Sequence, residues 1–306
     1  MPSNPAKDWR QALKIHLREE PLWDEPMSAH TSLQVGGPAD CYIEPTNLDE
    51  LTAVVQFTRA RKVPLFIIGA GTNLLISDSG IRGVVMCLKT GFSGYTVNGS
   101  TLIAQSGIML SKLLIISHEH GLTGLGFLAG IPGTLGGSVF MNAGTSNLFI
   151  GDVIQEGLVW NPVSMSVETM HHGDFQFSYR ASSLQRTHLI LLQATLSLSY
   201  GNIEEEKKQI QQSKERRLQT QPLQFPNAGC TWKNPLHDSA GRLIEEAGLK
   251  GYTIGRAMIS PQHGNFIINT GGATCNDILA LMEWIENQIY HKYNIRLVRE
   301  LQVIED

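Results

Sequence analysis

The chain has 306 residues, 42% of them hydrophobic and 17% charged, with a formal net charge of -4. These values fit a folded chain of about two domains and exclude a disordered or fibrous one. So small a net charge gives no broad positive field for nucleic acid, and the one dense charge run, Ile203 to Leu218, mixes both signs.

The N-terminal stretch MPSNPAKDWRQALKIHLREE lacks the apolar core of a signal peptide, and no window offers the roughly 18 uncharged apolar residues of a membrane helix. Cytoplasmic residence is expected. Cys41, Cys87, Cys230 and Cys275 form no C-x-x-C pair, so neither a disulfide framework nor a zinc site is suggested. Cys41, Cys87 and Cys275 read as buried fillers, and His171, His172, His263 and His291 lack metal-ligand spacing. No metal is expected.

Asn47 and Glu50 cap a helix whose Leu51, Val54, Val55 and Thr58 share one face, and a buried strand follows at Pro64 to Ile68. Next comes GAGTNLL, Gly69 to Leu75. It opens as G-x-G-x-x-G but has Leu74 in place of the third glycine, so the nicotinamide-type fingerprint is not met. A simple tight turn and a phosphate cradle both explain it. Short β-like runs at VVMCL, YTV and TLIAQSG precede an amphipathic helix from about Met109 to His120, which Gly121 ends.

From Gly121 to Gly144 the chain reads GLTGLGFLAGIPGTLGGSVFMNAG, rich in glycine and without a charged side chain. Linkers are polar, so a linker explains this stretch poorly. Glycine lets main-chain N–H groups approach a ligand and aim successive donors at one anion. Together with GAGTNLL, the segment points to a large phosphorylated cofactor.

GLVWNP, SVETMHHGDF and HLILLQATLSLSY then alternate as antiparallel strands, ending near Tyr200. Between them FSYRASS places Tyr179 and Arg180 at a strand-to-loop junction. A guanidinium there serves either a surface ion pair or a planar fork for a carboxylate. The charged helix at 203–218 marks the expected domain boundary. In PNAGCTWKNP, Cys230 is either a structural thiol or a reactive one beside Lys233 and Asn234. SAGRLIEEAG gives a short helix, and a longer one aligns Ile278, Leu281, Met282, Ile285 and Ile289. The terminal RLVRELQVIED reads as one alternating strand with Glu300 on one face while Val298 and Val303 pack elsewhere, although simple solvent exposure also explains a glutamate there.

Taken in order, HTSLQVGGPAD, GAGTNLL, GFLAGIPGTLGGSVFMNAG, FSYRASS, PNAGCTWKNP, AGRLIEEAGLKG and HGNFIIN resemble the UDP-N-acetylenolpyruvoylglucosamine reductase (MurB) family, from about His30 to Glu300. The resemblance implies an α+β fold: a PCMH-type FAD-binding domain at 1–200, then a smaller α+β substrate-binding domain at 201–306 whose final strand returns Glu300 to the active site. It implies NADPH-dependent, FAD-mediated reduction of UDP-N-acetylglucosamine enolpyruvate to UDP-N-acetylmuramate in peptidoglycan precursor synthesis. Flavin oxidases of the same fold often attach the cofactor through a histidine near the first loop, and no histidine lies between Ser32 and Gly80, so noncovalent FAD is expected.

By the same resemblance the cofactor positions are Gly69, Ala70, Gly71, Thr72, Asn73 and Leu74; Gly130, Ile131, Pro132, Gly133, Thr134, Gly136 and Gly137; and Asn142, Ala143 and Gly144. Arg180, Cys230 and Glu300 carry the catalytic roles of enolate stabiliser, proton donor and second acid. Tyr179, Arg217, Lys233 and Asn234 are assigned to substrate. Two departures stand out: many members have serine where Cys230 stands, and the common Leu-Glu-Pro-Glu run appears as Leu297, Val298, Arg299, Glu300. The alternatives are a PCMH-type flavin oxidase of a small alcohol or sugar, and a catalytically silent flavin- or sugar-nucleotide-binding module. The expected partner is a small sugar nucleotide, with neither nucleic acid nor membrane; no oligomer interface is legible, and a monomer is compatible with the chain.

Overall fold

A computed structural model describes residues 9–145 and 147–305. Part of the N-terminal stretch expected to lack a signal segment therefore lies outside the described residues. The chain forms two compact units that are not consecutive: the first comprises residues up to Trp23, Cys41–Ala70 and Gly83–Lys214, the second Asp24–Asp40, Gly71–Arg82 and Glu215–Asp306. The last crossing falls inside the charged helix Ile203–Thr220.

In the first unit, the helix Leu48–Arg61 starts at Asn47, whose side chain accepts the Glu50 N–H, and it buries Leu51, Val54, Val55 and Thr58. The strand Leu65–Ile68 follows and runs parallel to Val84–Cys87. It is an edge strand, which overturns the expectation of a fully buried one: Ile67 is 39% exposed and only Ile68 is buried. An antiparallel five-stranded sheet is ordered Ser166–His171, Ile154–Asn161, Ile190–Ser197, Thr101–Gln105, Tyr95–Asn98. Leu102, Ala104, Val159, Leu191 and Ala194 of this sheet join Leu110, Leu113 and Ile116 of the helix Leu110–Glu119 in one apolar core. Gly121 follows that helix at φ 72°, where glycine is free of the Cβ clash.

The second unit is built on the helix Cys275–Tyr293, whose Ile278, Leu281, Met282, Ile285 and Ile289 are buried. Thr274 and Asp277 form a capping box at its start, and the Asp78 carboxylate accepts the Cys275 and Asn276 N–H groups at 2.7 and 3.0 Å. Around it lie the helix Ala240–Glu246 and a sheet ordered Asn227–Cys230, Phe266–Asn269, Ala257–Ile259, Thr253–Ile254.

The C-terminal segment is not the single strand its alternation suggests. Val298–Arg299 pairs antiparallel with Trp232–Lys233, whereas Gln302–Ile304 runs parallel to Leu74–Ile76. The break has a local cause. The N–H groups of Glu300 and Leu301 both turn to the Thr231 carbonyl, at 2.8 and 3.2 Å, which takes Glu300 out of any ladder. Val298, expected to pack, is 59% exposed.

Candidate active site

In the first unit the glycine-rich segment is held by close backbone approach. A Cβ on Gly69 would lie 2.6 Å from Thr134 Oγ1, and one on Gly136 would lie 3.1 Å from both Cβ and the carbonyl oxygen of Ser106. Thr134 caps the short helix Leu135–Met141 by accepting the Gly137 N–H. The Leu135 and Gly136 N–H groups go to the Ile108 and Ser106 carbonyls at 2.9 and 2.7 Å. Gly136 thus contributes closeness, and the donors of Gly136 and Gly137 are both bonded within the unit. Gly130 and Gly133 adopt φ 75° and 140°, a region open to glycine, in the loop that contains Ile131 and Pro132.

Beside Gly136 the Ser106 hydroxyl is buried without a hydrogen-bond partner. Gly71 to Leu74 belong to the second unit, where the Gly71 carbonyl accepts the Ser32 N–H at 3.1 Å and a Cβ on Gly71 would fall 1.8 Å from the His30 carbonyl oxygen. The Ser32 hydroxyl is likewise shielded and unpartnered. A shielded, unsatisfied hydroxyl costs about 1–3 kcal/mol. Within each unit, then, a glycine loop has beside it a shielded hydroxyl that a polar ligand oxygen would satisfy, which fits a phosphorylated cofactor. Neither serine was singled out from sequence; Ser106 directly precedes Gly107 in TLIAQSG, an easily overlooked pattern.

Asn142 closes the helix Leu135–Met141 at φ 45°, and its buried amide is used within the unit: Oδ1 accepts the Gly151 N–H at 3.0 Å and Nδ2 donates to the Ser178 carbonyl at 2.9 Å. Ser178 and Ala181 exchange both backbone hydrogen bonds, so Tyr179 and Arg180 are the two central residues of a tight turn. Arg180 sits at φ 55°, donates from Nη2 to the Gly144 carbonyl at 3.0 Å, and lies over the rings of Tyr179 and Phe149 at 5.3 and 5.8 Å. A left-handed arginine costs about 1–3 kcal/mol, a strain typical of functional positions. Ala143 lies between, its N–H on the Ser138 carbonyl.

The second unit gathers Asn73, Arg217, Cys230 and Glu300. Cys230 follows a bulge in which Gly229, at φ 77°, donates its N–H to Asn227 Oδ1. Glu300 is half-buried. Its N–H rests on the carbonyl of Thr231, the residue after Cys230, and its own carbonyl accepts Asn73 Nδ2 at 3.0 Å. Burial pushes the Arg217 guanidinium down from its ordinary pKa, against an opposing electrostatic interaction with Cys230. The cation coupled to the thiol is therefore one the sequence had assigned to substrate.

Lys233 lies in the pair with Val298, and Asn234 Oδ1 accepts the Ala240 N–H at 3.1 Å. Cys41, Cys87 and Cys275 are buried; desolvation raises the Cys87 thiol and takes Cys275 up to about 12. Only Cys230 is partly exposed. Among the described residues, no cluster of His, Cys, Asp or Glu is arranged to hold a metal, and no helix is long and apolar enough to cross a membrane.

A family description of an FAD-binding domain matches residues 39–165, which defines the chain as an α+β flavoprotein of the PCMH class. The model described as the UDP-N-acetylenolpyruvoylglucosamine reductase C-terminal domain matches residues 221–304. A UDP-N-acetylenolpyruvoylglucosamine reductase of Caldanaerobacter subterraneus subsp. tengcongensis is 43% identical over 95% of this chain and 96% of its own length, and one from Anoxybacillus flavithermus is 40% identical over 92% and 93%. The crystal structure of the Thermus caldophilus enzyme, 33% identical, superposes with a TM-score of 0.79 over 94% of this chain and 100% of that one. The chain belongs to the UDP-N-acetylenolpyruvoylglucosamine reductase (MurB) family of FAD-dependent oxidoreductases.

Proposed function

We propose that this chain reduces UDP-N-acetylglucosamine enolpyruvate to UDP-N-acetylmuramate in peptidoglycan precursor synthesis, with NADPH as electron donor and noncovalent FAD as cofactor. Family membership along nearly the whole chain supports the reaction class. The observation that supports the pairing of Cys230 with Glu300 is the main-chain hydrogen bond from the Glu300 N–H to the carbonyl of Thr231, the residue after Cys230, since it sets the two remote segments side by side. The glycine loops with Ser32 and Ser106 would hold the FAD oxygens. Bound FAD supplies two-electron hydride chemistry between NADPH and the enolpyruvyl double bond.

Addition of hydride at the terminal carbon of that double bond sends its electron pair toward the neighbouring carbon and the carboxylate. Arg180, with its planar fork, stabilises the carboxylate charge that grows in the transition state. The Cys230 thiol gives its proton to the carbon beside the carboxylate, completing the lactyl ether and leaving a thiolate next to Arg217. Glu300, when it carries a proton, donates a hydrogen bond to the same carboxylate oxygens. Tyr179, Lys233 and Asn234 contact the sugar nucleotide.

Stopped-flow separation of the two half-reactions tests the proposal. Cys230→Ala is expected to accept electrons from NADPH normally while its reoxidation by the enolpyruvyl substrate falls about 10²–10⁴-fold, with Cys230→Ser keeping part of the rate. Normal reoxidation in Cys230→Ala would remove the thiol from the mechanism.

A further inference from the structure

Cys230 and Glu300 flank a very short piece of sheet. Trp232 pairs with Arg299 and Lys233 with Val298, and the ladder ends there. Two residues a side are too few to define a register unaided, and a slip of one residue would turn every side chain to the opposite face. It would also carry the Glu300 and Leu301 N–H groups off the Thr231 carbonyl.

Glu286, on the helix Cys275–Tyr293, meets both strands from outside. Its Oε1 accepts Trp232 Nε1 at 2.8 Å and Arg299 Nε at 2.7 Å, and its Oε2 accepts Arg299 Nη2 at 2.9 Å. Trp232 and Arg299 are cross-strand partners, so one carboxylate grips the two residues whose alignment sets the register. The grip is firm on both sides. Trp232 is 0% exposed, and the guanidinium meets the carboxylate through two nitrogens, which fixes angle as well as distance.

We infer that Glu286 is a positioning residue for the proton-donor site: it locks Trp232 to Arg299 and so holds Cys230 and Glu300 at a fixed mutual setting. The inference rests on the reading of Cys230 and Glu300 given above. Glu286 touches neither and acts through the strands that carry them.

The test uses the FAD-loaded enzyme with Glu286→Gln, which keeps an acceptor oxygen but loses the charge and half of the fork. Reduction by NADPH is expected to stay within about twofold, while reoxidation by the enolpyruvyl substrate slows about ten- to a hundredfold, the scale of a small misplacement of reacting groups. In the same protein, hydrogen exchange at the Glu300 and Leu301 amides is expected to accelerate about tenfold or more. Arg299→Lys, which keeps the charge without the fork, should fall between wild type and Glu286→Gln on both readouts, and it serves should Glu286→Gln fail to fold. Unchanged reoxidation with unchanged amide exchange overturns the inference, as does an equal loss in both half-reactions. A slow Cys230→Ala beside a normal Glu286→Gln overturns only the positioning role; a normal Cys230→Ala overturns the reading beneath it.

Discussion

Asn142 is buried, left-handed at φ 45°, and bonded through both ends of its amide to Gly151 and Ser178. Alanine there loses two hydrogen bonds to buried main chain and, with them, the bonding that offsets the left-handed cost any residue with a Cβ meets at this φ. Asn142→Ala is expected to destabilise the protein by roughly 2–4 kcal/mol in urea denaturation, with Asn142→Asp losing at least as much, because it retains the acceptor for Gly151 but turns a buried carboxylate oxygen toward the Ser178 carbonyl. Because Nδ2 holds the Ser178 carbonyl, the damage reaches the Tyr179–Arg180 turn. At Arg180 itself, lysine keeps the charge but not the fork. Arg180→Lys should slow reoxidation by substrate about 10²–10³-fold with little change in reduction by NADPH, read by the same stopped-flow split. Equal slowing of both steps would refute a role confined to the developing carboxylate charge.

At the scale of elements, the bulge before Cys230 and the turn at His263 are the sensitive places. Gly229 has open space where a Cβ would stand, so Gly229→Ala meets only the conformational cost of φ 77°, about 1–2 kcal/mol, which a shifted denaturation midpoint would show. His263 is held below its ordinary pKa by burial and then by Lys250, with Glu245 opposing, and its Nδ1 accepts the Asn265 N–H at 3.1 Å. That bond requires an unprotonated Nδ1. As pH falls below about 6.5 the unfolded chain takes up a proton that the folded one refuses, so stability declines until the lowered folded pKa is reached. Thermal melts of wild type should show this decline from about pH 7 downward, and His263→Gln should flatten it. An identical slope in the variant would exclude His263 as its source.

Regular elements were legible because local rules decide them: the Asn47 cap and the apolar stripe of Cys275–Tyr293 stand as read. The break at Glu300 was not, because alternation continues through it and only the remote Thr231 carbonyl turns the chain. Glu286 escaped for a related reason. A glutamate beside a buried stripe reads as solvated until Trp232 and Arg299 are seen against it. The glycine loops were visible as loops, whereas the two shielded hydroxyls beside them were not, since an unsatisfied serine has no signature in one dimension.

For the whole molecule, stability is spread over separate cores. Two lie in the first unit, one around Leu110 and Val159 and one around Leu51 and Met86; a third, around Trp232 and Ile285, lies in the second. A chain organised this way need not unfold in one step. A cofactor that binds only folded protein adds RT ln(1 + [L]/Kd), about 2.7 kcal/mol at a concentration 100 times Kd. At this chain length that corresponds to a rise in melting temperature of roughly 5 °C. Apo-protein freed of flavin is therefore expected to melt lower than the reconstituted protein, with midpoints that climb logarithmically as FAD is titrated. Ser106→Ala removes a shielded hydroxyl that has no protein partner, so it should raise the apo midpoint while shrinking the shift produced by FAD. Calorimetry of the four samples separates the cases. A Ser106→Ala protein that loses stability without FAD and gains the full increment with it would show that the hydroxyl serves the fold and not the cofactor.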